Sequence, residues 1–227
     1  MRTPSGHLVV GTLSFLLCFA AWGLISAFAP SYRTQFHLTA TETSLLVAVP
    51  VLLGALARIP MGLLTDTFGA RVVFSVLFLA SAAAAFLVSR AQSYQDLLLS
   101  GFILGLSGSS FAVGVGYVSR WFPPVKQGTA LGVYGMGNIG QSAAVFLGPV
   151  LAAGIGRESV IQGVAILLIV WTAVYIAIAR DAPNRPPSRG VAPLVTVLTR
   201  EPLAWLLSAF YFLTFGGFVA FSIYLPT

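Results

Sequence analysis

The chain has 227 residues, of which 57% are hydrophobic and only 8% are charged, and its formal net charge is +6. Soluble globular domains carry about a quarter charged residues, so this composition excludes an ordinary soluble domain and indicates a protein that crosses a membrane several times. The single cysteine, Cys18, excludes a disulfide within the chain.

Seven apolar segments follow one another along the chain, and each is long enough to cross a hydrocarbon core of roughly 30 Å as a helix. Helix is the expected conformation because every backbone polar group inside a bilayer needs a partner within the protein. The sequence therefore predicts an all-α polytopic membrane protein in which residues 1–179 form a six-helix N-terminal bundle. The segments run from 8 to 29, 44 to 64, 72 to 89, 97 to 119, 128 to 153, 160 to 179 and 203 to 225.

The lysines and arginines between the segments predict the orientation of the chain, because cytoplasmic loops carry an excess of both. With a cytoplasmic N-terminus, eight basic residues lie in the cytoplasm and three lie outside. The positive charge is thus a signal of topology in the cell (inner or plasma) membrane, and nucleic acid is not an expected partner. The eight are Arg2, Arg71, Arg120, Lys126, Arg180, Arg185, Arg189 and Arg200, and the three are Arg33, Arg90 and Arg157.

The connection from 180 to 202 differs from the others, because it is long and contains five prolines and four arginines. Such a composition is typical of a linker between structural units. Residues 203–227 then hold a seventh transmembrane helix, which is interpreted as the start of a C-terminal bundle. We expect a twelve-helix protein cut short, whose C-terminal half is missing or is supplied as a separate chain.

Arg58 lies inside the second apolar segment, where an arginine costs about 2.5–3.5 kcal/mol on insertion scales. Its side chain could extend to the membrane surface, since the predicted end of the segment at Leu64 is about 9 Å away, or it could pair with a carboxylate. None of the six acidic residues lies at its depth. We favour a mobile partner, namely a small anion that binds the planar guanidinium and leaves again.

Four other residues lie near the midpoints of their own segments, and so at about the depth of Arg58. They are Phe111, Asn138, Tyr211 and Phe215. One amide and three aromatic rings could therefore form a single layer with the guanidinium. All five residues are candidate substrate-binding residues.

The fifth segment contains the stretch GVYGMGNIGQS, which is rich in glycine. Small residues let a neighbouring helix approach closely, so packing alone could explain them. Asn138, Gln141 and Ser142 follow at i, i+3 and i+4 and form a polar strip, which favours a functional role at mid-membrane. The glycines are Gly132, Gly135, Gly137 and Gly140.

The turn after the second segment has the spacing G-x-x-x-D-x-x-G-x-R at Gly62, Asp66, Gly69 and Arg71. Glycines permit close backbone approach, and an acid placed before the third segment would be stabilised by the dipole of that helix. We interpret the turn as a gating or bracing element and not as a substrate site.

The sequence gives no indication of an enzyme, a metal site or a cofactor. Both histidines, His7 and His37, are expected outside the membrane segments, and Cys18 has no histidine near it along the chain. The glycines of the fifth segment follow no predicted strand, which argues against a dinucleotide site.

The stretch GLLTDTFGAR, which holds the four residues of that turn, resembles the signature loop between helices two and three of the major facilitator superfamily. Four other stretches resemble its nitrate/nitrite porters, namely ARIPMG, SSFAVGVGYVSRWFPPVKQGTALG, GMGNIGQ and YFLTFGGF. The similarity runs from the second segment to the end of the chain. The stretch with Gly135, Gly137 and Gly140 resembles the nitrate signature of that family.

This resemblance implies that Arg58 is one of two arginines that bind nitrate or nitrite and that Asn138 lies near the anion. Phe111, Tyr211 and Phe215 would line the pocket. In this superfamily two six-helix halves rock about a central site. The second signature and the second arginine of the family lie beyond the seventh helix, so the opposite wall of the site is expected to be absent from this chain.

Exchange of nitrate for nitrite by alternating access is the favoured activity, because no carboxylate or histidine is expected at mid-membrane to carry a proton. Ion-coupled uptake stays open, since a charge carrier could lie in the absent half. Two alternatives remain. The chain could belong to a transporter of the same superfamily for another small anion or metabolite, or it could be a membrane fragment that transports nothing unless a second chain completes it.

Overall fold

A computed structural model describes residues 3–183, 196–197 and 199–224. In these ranges seven helices are long and apolar enough to cross a membrane. Each coincides with one predicted segment, which confirms the all-α polytopic fold. The helices are α1 (Pro4–Trp22), α2 (Ala40–Phe68), α3 (Ala70–Ser89), α4 (Tyr94–Ser119), α5 (Pro124–Ile155), α6 (Arg157–Ile178) and α7 (Pro202–Ser222).

Much of the predicted linker, from 184 to 195 and at 198, lies outside the described residues, as do Arg2, Arg185 and Arg189. The division of the chain at 180–202 therefore stays a prediction. Two short helices, Leu24–Ala27 and Ala29–Gln35, continue from α1 towards α2.

The helices begin earlier than the apolar pattern predicted, because their caps lie in polar sequence. At the start of α2 the Thr39 side chain accepts a hydrogen bond from the Glu42 N–H, and the Glu42 carboxylate accepts one from the Thr39 N–H at 2.9 Å. Ser93 and Asp96 form the same reciprocal cap at the start of α4. Such caps provide partners for amides that the first turn of a helix leaves free.

The position of Asp66 differs from the prediction. Helix α2 continues to Phe68, so Asp66 lies in the last turn of α2 and not in a loop before α3. Gly69, with a φ of 90°, makes the reversal between the two helices. Asp66 still precedes the start of α3 at Ala70, so its stabilisation by the dipole of that helix stays a prediction.

The prediction for His7 is also wrong. Helix α1 begins at Pro4 behind the cap Thr3, which places His7 inside the helix. The imidazole is fully buried, stacks on Trp121, and has Nδ1 2.6 Å from the Tyr117 hydroxyl. A helix cap and a proline at the first helical position were the signals in the sequence that could have located it.

Helix α2 is broken at Ala57, and Pro60 is the reason. Proline has no N–H to donate to the carbonyl of Leu56, four residues earlier, and its ring crowds that carbonyl. The helix accordingly divides into Ala40–Leu56 and Arg58–Phe68. Arg58 is the first residue after the break.

Helices α2 and α4 cross in backbone contact one turn before Arg58. A side chain on Gly105 would overlap the backbone of Pro50, and Gly54 lies against the carbonyl of Gly105. The Trp22 indole covers this crossing and donates from Nε1 to the Pro50 carbonyl at 3.3 Å. The crossing fixes three helices around the site described below.

Helix α7 buries side chains against the described bundle only along its second half. Its first part, Pro202–Tyr211, has no buried residue, and a π-helical turn at Phe212–Gly216 follows. Beyond that turn Val219 is buried, and the helix contacts α2, α5 and the short helix Leu24–Ala27. A cavity lies between α7 and α2.

Candidate functional site

Arg58 extends into this cavity from the break in α2. It lies about 15 Å along the helix axis from Phe68, where α2 ends, by the rise of 1.5 Å per residue. An arginine side chain does not reach the end of the helix from that position, so in this structure it stays beside the cavity.

The guanidinium has one hydrogen-bonding partner among the described residues. Nη1 donates to the Tyr211 hydroxyl at 3.1 Å, and Nε is buried with no partner in the described part of the chain. The ion pair found among those residues joins Arg120 to Asp66 and does not involve Arg58. The cation of Arg58 is therefore held without a carboxylate.

Aromatic rings surround the guanidinium on several sides. Its carbon lies 4.6 Å from the centre of the Phe215 ring and 5.8 Å from that of Phe111. The Tyr211 and Phe215 rings are parallel, with centres 5.0 Å apart and an interplanar angle of 10°. A guanidinium over ring faces is attracted by their quadrupoles.

The cavity has a volume of about 660 Å³ and lies between α1, α2 and α7. Most of its wall is apolar, and Arg58 is the charged residue that lines it. No sequence pattern singles out Trp22, Val51 or Ala55, because an apolar residue that faces a cavity cannot be distinguished from one that faces lipid. The lining residues are Trp22, Val51, Ala55, Arg58, Leu207, Ser208, Tyr211, Phe212, Phe215, Gly216 and Val219.

The structure thus brings four of the five predicted substrate-binding residues together, namely Arg58, Phe111, Tyr211 and Phe215. Asn138 is placed in a short 3₁₀ turn of α5, Met136–Asn138. Its Nδ2 donates to the Gly135 carbonyl at 2.8 Å, and its Oδ1 is buried with no partner among the described residues. It makes no hydrogen bond to Arg58.

Phe111 is itself held by aromatic neighbours that the sequence did not single out. Its ring centre lies 5.5 Å from Phe15 and 5.9 Å from Tyr134. The Tyr134 hydroxyl donates to the Ser110 carbonyl at 3.1 Å. This packing fixes the ring that faces Arg58 from α4.

The glycines of α5 divide into two groups. A side chain on Gly140 would overlap the Leu16 carbonyl, and one on Gly137 would overlap the Phe15 ring, so both permit the close approach of α1. A Cβ on Gly132 or Gly135 would meet no described atom within 4 Å. For those two, the prediction of close packing is not met within the described residues.

The predicted bracing turn forms polar contacts at one end of the bundle, which we name the Arg120 end. The Arg120 guanidinium pairs with Asp66, and Arg71 donates from its backbone to Asp181 at 3.1 Å and from its side chain to the Ile176 carbonyl. These contacts join α2 to α4 and α3 to the end of α6. Gly62 has no described atom near its Cβ position.

Arg157 forms a second brace at the opposite end, which we name the Arg157 end. Its Nη1 donates to Ser31 at 2.7 Å, and its guanidinium lies 4.3 Å from the centre of the Tyr32 ring. Burial raises the pKa of Tyr32 to about 12, so the hydroxyl stays protonated at neutral pH. This brace joins the start of α6 to the connection between α1 and α2.

No group of three histidine, cysteine, aspartate or glutamate residues in the described ranges could hold a metal ion. The arrangement around Arg58 instead provides a fixed cation, a hydroxyl and aromatic faces. Such a site can bind a small anion and has no nucleophile paired with a base.

Comparison with known proteins gives a consistent family. The family model described as Major Facilitator Superfamily matches residues 11–227. The chain is 40% identical over 220 residues to the "Nitrite extrusion protein" of Bacillus subtilis, a match that covers 97% of this chain and 55% of that protein.

Two other relatives have similar names. The chain is 39% identical over 231 residues to the "Probable nitrate/nitrite transporter NarK2" of Mycobacterium tuberculosis, covering 100% of this chain and 58% of that one. It is 36% identical over 234 residues to the "Probable nitrate/nitrite antiporter NarK1" of Thermus thermophilus, covering 96% and 52%. The chain therefore spans about half the length of these relatives.

Solved structures share the fold. A bacterial homologue of the human lysosomal transporter Spinster superposes with a TM-score of 0.67 at 19% identity, covering 83% of this chain and 47% of that one. The xylose transporter XylE from E. coli superposes with a TM-score of 0.64 at 15% identity, covering 90% and 54%.

Proposed function

The chain belongs to the major facilitator superfamily, and from that premise we propose that it forms the anion-binding part of a secondary transporter for nitrate and nitrite. The relatives described above are named as nitrite extrusion or nitrate/nitrite transport proteins, and these names support this substrate class. Because the chain spans about half of them, transport by the whole protein is part of the proposal.

The observation that carries the proposal is the environment of Arg58. A cation inside an apolar cavity is costly unless it has a partner of opposite charge. The described residues supply a hydroxyl and ring faces but no carboxylate, and they leave Nε without a partner. A small anion entering from water is the partner that this site lacks.

Nitrate and nitrite fit the site by shape as well as by charge. Both are planar and have delocalised charge, and the two parallel donors of a guanidinium match two of their oxygens. The Tyr211 hydroxyl accepts a hydrogen bond from Arg58, so its own proton is free to be donated to an oxygen of the anion. Phe111 and Phe215 would face the plane of the anion and keep water away.

Asn138 and the glycines beside it would form the rim of the site. The Asn138 amide can donate to an anion if it exchanges its bond to the Gly135 carbonyl for one to the substrate. Gly137 and Gly140 permit the close approach of α5 to α1, and a Cβ on Gly135 would meet no described atom within 4 Å. We propose a mainly positional role for the three glycines.

We further propose that alternating access moves the first six helices as a nearly rigid unit. The contacts of Asp66, Gly69 and Arg71 brace the Arg120 end, and this end lies in the cytoplasm of a cell whose inner or plasma membrane the protein spans. The exposed first half of α7 supports a second helical bundle that packs there in the transporting protein. That bundle would supply the opposite wall.

Exchange of nitrate for nitrite stays our first choice of mechanism, and ion-coupled uptake is the second. His7 is inside a helix, but its partner Tyr117 lies near the Arg120 end, about 9 Å along α4 from Phe111 by the helix rise. The described residues around Arg58 include no carboxylate or histidine that could carry a proton with the anion.

The test is sided anion flux in liposomes that contain the native gene product. We expect labelled nitrate to enter vesicles loaded with nitrite much faster than empty vesicles, with no effect of an imposed proton gradient. Chloride and sulfate, which are not planar oxyanions, should not replace nitrite as the internal anion.

Three other outcomes would contradict the proposal in different ways. Uptake that needs a proton or sodium gradient would favour ion coupling. Exchange of another anion in preference to nitrate would favour a different substrate. No flux of any anion until a second chain is added would favour a fragment that does not transport by itself.

A further inference from the structure

Gln141 is a buried polar residue that the proposed anion site does not use. It lies in α5, one turn beyond Asn138, and has no exposed surface. It packs on α1 where that helix ends, since a Cβ on Gly23 would lie 3.1 Å from the Gln141 carbonyl and 3.3 Å from its Cγ. A buried amide in a membrane protein needs a reason, because burial without hydrogen bonds is costly.

The Gln141 side chain reaches across to α7. Its Nε2 donates to the Ser222 hydroxyl at 3.0 Å. That hydroxyl donates in turn to the Phe218 carbonyl at 2.7 Å, so it can only accept from the amide, which fixes the orientation of the glutamine. Oε1 of Gln141 is buried and has no partner among the described residues.

Ser222 lies in the part of α7 that is packed against the bundle. Two hydrogen bonds link side chains of α7 to the other described helices, one from Arg58 to Tyr211 and one from Gln141 to Ser222. The two points on α7 are about 16 Å apart by the helix rise. The π-helical turn at Phe212–Gly216 lies between them.

We infer that Gln141 is a positioning residue for the anion site: it fastens the second half of α7 to α5 and α1, and so holds Tyr211 and Phe215 against Arg58 and closes the cavity at the Arg157 end. The role of Gln141 in transport rests on the proposed function. The fastening itself is a property of the helices and does not depend on which anion is carried.

The same hydrogen bond disfavours partial release of α7. When α7 leaves α5, Nε2 of Gln141 loses its protein partner until water reaches it. The π-helical turn is the natural place for α7 to bend, because π turns interrupt the regular hydrogen bonding of a helix. Opening at the Arg157 end would therefore require the release of Ser222.

The test measures opening at the Arg157 end with a thiol probe. Val219, which is 9% exposed and lies one turn before Ser222, is changed to cysteine in a Cys18→Ala background of the native gene product. A membrane-impermeant maleimide is added from the Arg157 side of sealed vesicles with no nitrate present. Labelling from the Arg120 side serves as the reference rate.

We expect Gln141→Met, which keeps the length and removes the amide, to raise the labelling rate from the Arg157 side about fivefold, the effect of one ordinary hydrogen bond. Ser222→Ala should do the same, and the double variant should add nothing. Ser222→Thr keeps the hydroxyl and should behave as the unmodified protein, as should Ser142→Ala, which changes an exposed residue beside Gln141.

Unchanged labelling in both Gln141→Met and Ser222→Ala would overturn the inference, as would additive effects in the double variant. If Gln141→Met does not accumulate, Ser222→Ala removes a single oxygen atom and carries the test alone. Nitrate affinity, measured on the same proteins, separates the two proposals. A protein that shows the labelling pattern but never binds nitrate would refute the substrate and leave the fastening in place.

Discussion

The guanidinium of Arg58 finds no carboxylate among the described residues. Its contacts are a phenol oxygen at 3.1 Å and ring centres at 4.6 Å and 5.8 Å. A buried ion pair would hold it permanently, whereas these weaker contacts leave it able to exchange partners. A transport site needs that property, because the anion has to leave as well as bind.

Tyr211 provides a test of this arrangement at the level of one oxygen atom. Tyr211→Phe keeps the ring against Phe215 but removes the acceptor of Arg58 and the donor to the anion. We expect the Kd for nitrate to rise about tenfold, since a hydrogen bond to a charged group contributes roughly 1.5–3 kcal/mol. Isothermal titration of the purified protein measures this.

Tyr94→Phe is the matched control for that substitution. The Tyr94 hydroxyl donates to the Glu42 carbonyl, also at 3.1 Å, near the Arg157 end and away from the cavity. Its loss should leave nitrate affinity unchanged. Equal affinities in all three proteins would show that the Tyr211 hydroxyl takes no part in binding.

The elements that carry the site share one feature, which is an interruption of regular helix close to the site residue. Arg58 follows the break at Ala57, and Phe111 follows a 3₁₀ turn at Gly105–Ser109. Asn138 ends a 3₁₀ turn, and Phe215 lies in the π-helical turn of α7. Such interruptions redirect side chains and are common at functional sites.

The crossing of α1 and α5 gives a prediction at the level of elements. Gly140→Ala places a methyl group against the Leu16 backbone, which has no flexible end to yield. We expect destabilisation of about 1–3 kcal/mol, the usual cost of overpacking, and a lower Tm in detergent.

Gly135→Ala is the comparison for Gly140→Ala, because it lies in the same stretch and would meet no described atom within 4 Å. Its φ of −58° is helical, so alanine should be neutral or slightly stabilising. Equal effects of the two substitutions would contradict the packing described for α1 and α5.

At the scale of the whole molecule, braces at both ends connect several of the first six helices. Asp66 with Arg120 and Arg71 with Ile176 join helices at the Arg120 end, and Arg157 with Ser31 joins them at the other end. Helix α7 is attached differently, by the packing of its second half and by hydrogen bonds at Tyr211 and Ser222. We therefore expect rocking of the first six helices and release of α7 to be separable motions.

The sequence was sufficient for the fold because the length of an apolar run determines whether a helix can cross a membrane. It was also sufficient to select Arg58 as a candidate residue, because a charged residue inside such a run is unusual. Comparison of depth then selected Phe111, Tyr211 and Phe215, which the structure brings to the same guanidinium.

The other contacts of the site depend on which face of each helix packs against which neighbouring helix. The depth of a residue along its helix does not predict that face. Asn138 was predicted at the depth of Arg58, but its amide donates to the Gly135 carbonyl in its own helix. Trp22 donates to a carbonyl of α2, and Gln141 donates to a hydroxyl of α7. The pattern of apolar residues along the sequence does not predict these contacts between helices. His7 and Asp66 were misplaced because caps and helix ends lie in polar sequence, beyond the apolar run.

The most direct test of the account is the nitrate affinity of Arg58→Lys. Lysine keeps the positive charge but loses the planar pair of donors, so the account predicts a Kd raised at least about tenfold, with chloride competing better than before. Arg90→Lys, which alters a guanidinium 5.4 Å from the Phe86 ring and outside the cavity, should bind nitrate normally. Unchanged affinity in Arg58→Lys, or an equal loss in Arg90→Lys, would contradict the assignment of Arg58 as the anion-binding residue.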